Sequence, residues 1–214
     1  MSDNRATDRG ATDRHVLPAD LPVPVDDGAC DHLPGAQVPS IRLQSTGGRW
    51  VDLAEVTARP AVLFFYPRTG EPGRPAGPDW DAIPGARGCT PQSCGFRDRY
   101  HDFAARGVAV FGVSTQEMAY QREFVRRNHV PFEMLSDCEL ALTSAMRLPT
   151  FDYPSTRGGP PTLIKRMAWF VDRGSIERIW YPVFPPDRNA ETVVEWVRER
   201  ERLLLRDQGP VRLA

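Results

Sequence analysis

Short apolar runs, separated by amphipathic stretches, mark the expected strands of a central sheet. These runs are rich in aromatic and β-branched side chains and are bounded by proline, glycine or polar residues, which is typical of buried strands. Two of them flank Asp172-Arg173-Gly174 and therefore predict a hairpin. The predicted strands are Ala61–Tyr66, Val108–Val113, Phe132–Leu135, Leu163–Val171 and Ile176–Tyr181.

Helical periodicity fills the segments between these strands. One helix is expected from about Thr90, a hydroxyl cap, and Pro91, a residue suited to the first turn. Phe96, Tyr100 and Phe103 then recur at helical spacing and form one buried face. The remaining predicted helices are Gln116–Asn128, Leu140–Met146 and Asn189–Leu205, with Phe124, Val125, Val193, Trp196, Val197 and Leu204 facing inward.

This order of elements predicts the fold class. Alternating strands and helices, followed by a hairpin and a closing helix, indicate an α/β fold with helices on both faces of a mixed central sheet. A thioredoxin-like arrangement fits the order, and the order alone would also fit other α/β folds. We therefore expect a flexible N-terminal extension (residues 1–32), a thioredoxin-like domain (residues 33–206) and a C-terminal tail (residues 207–214).

Composition and charge narrow the classes of function. Of the 214 residues, 41% are hydrophobic and 26% are charged, and the formal net charge is −1. The charges are interleaved without a basic tract, so nucleic acid is not an expected partner. No apolar run is long enough to span a membrane, and the polar segment Met1–His15 lacks the apolar stretch of a signal peptide. A cytoplasmic protein is therefore expected.

Cys89 is a candidate nucleophile. In the reducing cytoplasm, the cysteines at positions 30, 89, 94 and 138 indicate reactive or incidental thiols instead of a disulfide framework. Cys89 lies where a glycine-rich loop enters a predicted helix, and the backbone N–H groups and helix dipole there stabilise a thiolate. Arg87 is expected to add to this effect. The thiolate is the reactive form of cysteine.

Cys94 lies in the same predicted helix. On a regular helix the Cα atoms of Cys89 and Cys94 are about 8.7 Å apart, whereas a disulfide tolerates at most about 7 Å. The pair therefore suits a cycle in which Cys89 is oxidised to sulfenic acid and Cys94 condenses with it after the helix unwinds. Spacing alone leaves inert cysteines and half of a metal site as alternatives. Zinc is disfavoured because Cys30 and His32 are distant and lack a recognisable spacing, so no metal or cofactor is expected.

Several segments resemble a known family. Phe64-Phe65-Tyr66-Pro67 and the later run Cys-Thr-x-x-x-Cys-Gly-Phe-Arg-Asp, which starts at Cys89, resemble the active-site signature of peroxiredoxins. The likeness is strongest to the bacterioferritin comigratory protein group, also called PrxQ. Residues 110–115, 135–137 and 165–172 are similar to core strands of that group, and the resemblance extends from Leu33 to Trp196.

The resemblance implies a peroxidase that reduces hydrogen peroxide and organic hydroperoxides. Cys89 would be the peroxidatic cysteine, Cys94 the resolving cysteine, and Arg166 the arginine that holds the thiolate and orients the peroxide. Thioredoxin or a similar dithiol would reduce the resulting disulfide. The group also implies a monomer or a weak homodimer.

The chain differs from the family pattern in front of Cys89. The family has a threonine at the position of Ala86, and that hydroxyl helps to position the peroxide. Pro67 still follows the strand, so Tyr66 and Pro67 are expected at the substrate site. Thr69 is expected to supply the hydroxyl if the loop folds back.

The segment between the first predicted strand and the catalytic helix is long. Residues 68–88 are rich in glycine and proline and predict a loop, and loops of this length are usually functional or disordered. Trp80 and Ile83 lie in this loop. They suggest a lid, or a hydrophobic rim that favours organic hydroperoxides.

Two other functions compete with a peroxidase. A thiol–disulfide oxidoreductase acting on proteins is disfavoured because the adjacent Cys-x-x-Cys arrangement is absent. In a non-enzymatic redox-sensing module, Cys89 would oxidise but would not cycle with thioredoxin. Cys30 and Cys138 are expected to have no catalytic role, and Cys30 as an additional resolving thiol is left as an alternative.

Overall fold

The structure, a computed structural model, describes residues 17–70, 78–154 and 159–207. The strands are β1 (Arg42–Ser45), β2 (Trp50–Asp52), β3 (Ala61–Phe65), β4 (Ala109–Ser114), β5 (Met134–Ser136), β6 (Thr150–Asp152), β7 (Thr162–Ile164), β8 (Met167–Asp172) and β9 (Ser175–Trp180). The helices are α1 (Leu53–Val56), α2 (Pro78–Asp81), α3 (Cys89–Asp98), α4 (Tyr100–Ala104), α5 (Met118–Asn128), α6 (Ala141–Ala145) and α7 (Asn189–Asp207). A 3₁₀ turn, Pro186–Arg188, leads into α7.

A seven-stranded mixed sheet lies at the centre, in the order β2-β1-β5-β4-β3-β8-β9. The strands β3, β4 and β5 are parallel, whereas the other neighbouring pairs are antiparallel. The strands β6 and β7 form a separate two-stranded sheet. The predicted α/β class, with a mixed central sheet flanked by helices, is confirmed.

The strand β3 is the centre of the core because it is paired on both sides and covered on both faces. Alternate side chains face opposite sides of a strand. Leu63 and Phe65 accordingly pack in one apolar cluster, and Val62 and Phe64 in another that also contains Phe96. The rings of Phe64 and Phe96 stack with centroids 4.2 Å apart. Truncating a buried ring of this kind costs about 3–5 kcal/mol, so this contact anchors α3 to β3.

The predicted strand Leu163–Val171 is two strands. The chain breaks at Lys165 and Arg166, so that β7 pairs with β6 while β8 pairs with β3 and β9. At the break, the N–H of Lys165 donates to the carbonyl of Pro149. The prediction of one continuous strand was wrong because both halves are apolar and the break has no glycine or proline.

The helix α3, which contains Cys89, also differs from its prediction at both ends. It begins at Cys89 with Gly88 as its N-cap and has no side-chain cap, so Thr90 is not the cap. Arg99 then separates α3 from α4. In the closing helix, Leu204 was expected to face inward but is 46% exposed, because the last turns of α7 extend beyond the cluster that packs on the sheet.

Residues 17–32, which belong to the predicted extension, lie against the domain. The Asp27 carboxylate accepts hydrogen bonds from Lys165 Nζ at 2.7 Å and from the Tyr181 hydroxyl at 2.8 Å. These bonds lower the pKa of Asp27 to about 2. Cys30 is 6% exposed and packs in the core beside Met167. The division at residue 32 stays a prediction, although the core already includes Cys30.

Candidate active site

Cys89 is the first residue of α3, and a glycine determines how the chain enters that helix. Gly88 has a φ of 104°, in the left-handed region, and a Cβ there would collide with Pro186 of the 3₁₀ turn. Cys89 is 4% exposed, and its thiol donates to the carbonyl of Ala86 at 3.6 Å. The sulfur therefore lies at a helix N-terminus and is almost closed off from solvent.

The guanidinium of Arg166 lies against this sulfur. Its Nη2 donates to Cys89 Sγ at 3.3 Å, and the side chain is 3% exposed. The carbonyls of Gly85, Ala86 and Arg87 accept further hydrogen bonds from Nε and Nη2, at 3.0–3.2 Å. A guanidinium keeps its charge when buried, so it stabilises a thiolate at Cys89. The structure thus brings Arg166 and Cys89 together, as the resemblance implied.

Tyr66 packs in the same apolar cluster as Cys89, and Pro67 follows it at the end of β3. The Tyr66 hydroxyl donates to Gln121 Oε1 at 3.0 Å, and the carbonyl of Pro67 accepts from Ser114 Oγ at 3.0 Å. Burial, together with the charge of Cys89, raises the pKa of Tyr66 above its usual value. Tyr66 is therefore a protonated hydrogen-bond donor in the cluster that contains Cys89, and its role in substrate binding stays a prediction.

Thr69 is held elsewhere. Its hydroxyl and its N–H both donate to Gln116 Oε1, at 3.1 and 2.8 Å, and Gln116 Nε2 donates to the Thr69 carbonyl at 3.1 Å. Within the described residues no hydrogen bond joins Thr69 to Cys89. A role for Thr69 in place of the family's threonine stays a prediction, and Gln116 competes for the same hydroxyl.

The loop before α3 holds Arg87, Trp80 and Ile83. The guanidinium of Arg87 pairs with Asp81 of α2 at 3.1 Å, and its expected effect on the thiolate stays a prediction. Trp80 is 4% exposed and packs edge-on against Tyr153, with centroids 4.9 Å apart, so it does not form a rim. Ile83 does line an open pocket.

That pocket lies beside Arg166 and is mostly apolar. It has a volume of about 220 Å³. Part of its wall comes from the N-terminal segment, where Pro24 and Val25 face it, and part from the loop residues Ile83 and Gly85. Val25 is 81% exposed. An apolar group bound here would cover Val25 while remaining next to the arginine that contacts Cys89.

Cys94 is on α3 with Cys89, but the two cysteines are separate free thiols. Cys94 is 5% exposed, and its Sγ lies 4.0 Å from Asn128 Oδ1. Burial raises the pKa of the Cys94 thiol. While α3 is intact, Cys94 is therefore protonated and shielded.

Gln92 and Asn189 were missed by the sequence reasoning. Gln92 is fully buried, its Oε1 accepts from Arg166 Nη1, and its Nε2 donates to Asn189 Oδ1 at 3.0 Å. The available signal was the spacing, since Gln92 is three residues after Cys89 and so lies one turn further on the same helix face.

The described ranges contain no cluster of three or more His, Cys, Asp or Glu residues that could hold a metal ion. In the same ranges, no helix combines the length and hydropathy that a membrane span requires.

Comparison with known proteins identifies the family of the chain. The family model Redoxin matches residues 33–194. Peroxiredoxin Q, a chloroplastic protein of Oryza sativa subsp. japonica, is 28% identical over 156 residues, which are 72% of this chain and 62% of the rice protein. Peroxiredoxin Bcp of Bacillus subtilis is 26% identical over 160 residues, covering 74% of this chain and 91% of that protein. The chain thus spans about 62% of the length of this plant relative.

Solved structures share the fold. Peroxidoxin BcpB of Mycobacterium tuberculosis superposes with a TM-score of 0.62 at 22% identity, covering 78% of this chain and 97% of that one. A PrxQ mutant of Xylella fastidiosa gives a TM-score of 0.61 at 19% identity, covering 78% and 96%. At these identities the likeness shows a thioredoxin-like fold and no more.

Proposed function

The chain belongs to the Redoxin family, and we propose that it is a thiol-dependent peroxidase of the peroxiredoxin Q/Bcp type. One observation carries the proposal: Arg166 Nη2 lies 3.3 Å from Cys89 Sγ, at the first residue of α3. A cysteine held at a helix N-terminus beside a cation is the environment that favours a thiolate nucleophile. Hydrogen peroxide and organic hydroperoxides are the proposed substrates.

In the first step, the Cys89 thiolate attacks one peroxide oxygen. The S–O bond forms as the O–O bond breaks, and the leaving alkoxide or hydroxide takes up a proton. The products are Cys89 sulfenic acid and an alcohol or water. Arg166 donates hydrogen bonds at the sulfur, so it stabilises the thiolate and can also face the peroxide oxygens as their charge grows.

In the second step, Cys94 condenses with the oxidised Cys89. The Cys94 sulfur attacks the Cys89 sulfur, the S–S bond forms, and the hydroxyl of the sulfenic acid leaves with the Cys94 proton as water. Because both cysteines lie on α3, the helix must unwind between them first. Unwinding also exposes Cys94 to solvent, which removes the burial that keeps its thiol protonated.

The pocket beside Arg166 supports organic hydroperoxides as substrates. Its apolar wall can hold an alkyl group, and its lining includes Arg166 itself. Small peroxides gain little from such a wall, because their apolar surface is small. The pocket therefore adds affinity for alkyl hydroperoxides without excluding hydrogen peroxide.

A dithiol protein such as thioredoxin is the proposed reductant, since a second cycle requires two electrons to reopen the disulfide. A cytoplasmic location is proposed with it, because both cysteines must return to thiols. We propose a monomer or a weak homodimer, which sedimentation velocity on the reduced and oxidised protein would test.

Peroxide consumption tests the function directly. With thioredoxin, thioredoxin reductase and NADPH, the wild-type protein should consume hydrogen peroxide and an organic hydroperoxide over many turnovers. Cys89→Ser should abolish consumption, whereas Cys138→Ser, which alters an exposed thiol, should retain it. A reduced wild-type protein that reduces disulfides of other proteins but leaves peroxide untouched would instead be a thiol–disulfide oxidoreductase, and the proposal would be wrong.

A further inference from the structure

We propose that Asn189 is a positioning residue which, through Gln92, sets how fast α3 unwinds to close the Cys89–Cys94 disulfide. The inference rests on the proposed function, since it concerns the second step of the same cycle. It assigns a role to the start of α7, outside the motif that contains the two cysteines.

Gln92 lies between the two cysteines, inside the segment that must unwind. Its side-chain amide is buried, and both its oxygen and its nitrogen are hydrogen-bonded. Oε1 accepts from Arg166, and Nε2 donates to Asn189 Oδ1 at 3.0 Å. Its backbone N–H donates to Gly88 and closes the first turn of the helix. Gln92 can therefore leave α3 only if the bond to Asn189 breaks.

Asn189 is well placed to hold this segment. It is 4% exposed and is the first residue of α7, so its position is fixed by a long helix that packs on the sheet. Two other contacts between these helical regions come after the cysteine segment. Gly95 lies against Ala190, and Arg99 pairs with Glu191 at 3.3 Å. Those contacts can persist while residues 89–94 unwind.

The bond has a chemical consequence because the sulfenic acid has two fates. It condenses with Cys94, releasing water, or it reacts with a second peroxide, which oxidises it to sulfinic acid and leaves an alcohol or water. The first fate requires unwinding and the second does not. By slowing unwinding, the Gln92–Asn189 bond prolongs the sulfenic acid and favours the sulfinic acid at high peroxide concentration.

Three variants test the proposal by rapid mixing with peroxide. Asn189→Ala removes the acceptor, so disulfide closure should become about fivefold faster, as expected for the loss of one buried hydrogen bond. The peroxide concentration that gives half sulfinic acid should rise by the same factor, and the rate of Cys89 oxidation should not change. Asn189→Asp keeps an acceptor and should close at the wild-type rate. Arg99→Ala breaks the neighbouring ion pair outside the segment and should also close at the wild-type rate.

The contrary outcomes are equally specific. Equal closure rates in Asn189→Ala and the wild type would overturn the proposal. So would equal acceleration in Asn189→Asp or Arg99→Ala, since either result would assign the effect to general loosening. If Asn189→Ala does not fold, Asn189→Ser replaces it. Amide exchange at residues 90–94 of the reduced protein gives a readout without peroxide, so a wild type inactive towards peroxide would reject the proposed function while the bond could still be tested.

Discussion

Oxidation of the wild-type protein should loosen α3 and lower its stability. Closing the disulfide breaks the Gln92 hydrogen bonds to Gly88, Arg166 and Asn189. At about 1 kcal/mol each, these bonds are worth about 3 kcal/mol. The disulfide closes only a short loop, so by constraining the unfolded chain it stabilises the folded state by only about 2 kcal/mol. We therefore expect the oxidised form to be less stable by about 1 kcal/mol, a shift of about 2–4 °C in melting temperature for a chain of this size.

Hydrogen–deuterium exchange and calorimetry on the two redox states measure this difference. Amides of residues 90–97 should exchange faster after one equivalent of peroxide, while the β3 and β4 amides should stay protected. Cys94→Ser is the control: it forms the sulfenic acid but cannot close the disulfide, so its α3 should keep the protection of the reduced state. Equal protection and equal melting temperatures in both wild-type states, or a disulfide from Cys89 to Cys30, would refute a mechanism in which α3 unwinds.

Two further predictions concern Arg166 and Cys30. Arg166→Lys keeps the positive charge, but one ammonium group cannot bind the three loop carbonyls, Gln92 and Cys89 at the same time. The rate of Cys89 oxidation, measured by stopped flow, should therefore fall by about 100-fold or more. A rate equal to that of the wild type would show that Arg166 has a structural role only. Burial, with the charge of Asp27, raises the pKa of Cys30 from 9.0 to about 12. Because the folded protein holds the Cys30 proton more tightly than the unfolded chain does, the protonated thiol stabilises the fold fully below pH 9. This part of the free energy of unfolding is lost as the pH rises towards 12, at up to about 1.4 kcal/mol per pH unit. In urea unfolding above pH 9, the free energy of unfolding of Cys30→Ala should fall less steeply with pH than that of the wild type. Equal slopes for the two proteins would contradict this prediction.

The sequence predicted well those strands and helices whose own pattern of apolar residues is enough to identify them. The strands β3 and β4 are continuous apolar runs, and Phe96 and Phe103 repeat at helical spacing, so burial alone identifies them. The short strands β1, β2 and β6 and the helix α1 were missed, because three or four residues are too few to show a period. The strand β5 was placed too early, at 132–135 instead of Met134–Ser136.

The residues of the candidate site also differ in whether the sequence alone could predict their surroundings. The environment of Cys89 follows from local features, a glycine followed by a helix start, and both are visible in the sequence. The location of Arg166 came only from the family resemblance, because no local pattern shows that its side chain turns into the loop at 85–87. The partner of Gln92 is Asn189, far along the chain, so only the folded structure joins them.

The break between β7 and β8 restricts how this chain can change in length during evolution. At this break Lys165 binds Asp27 of the N-terminal segment, while Arg166 binds Cys89. Successive residues of extended chain point to opposite sides. Inserting or deleting one residue at this break would therefore turn Lys165 away from Asp27 or Arg166 away from Cys89, so that one of the two contacts is lost. Insertions and deletions that preserve activity should therefore fall outside this segment, in loops such as the one before α3.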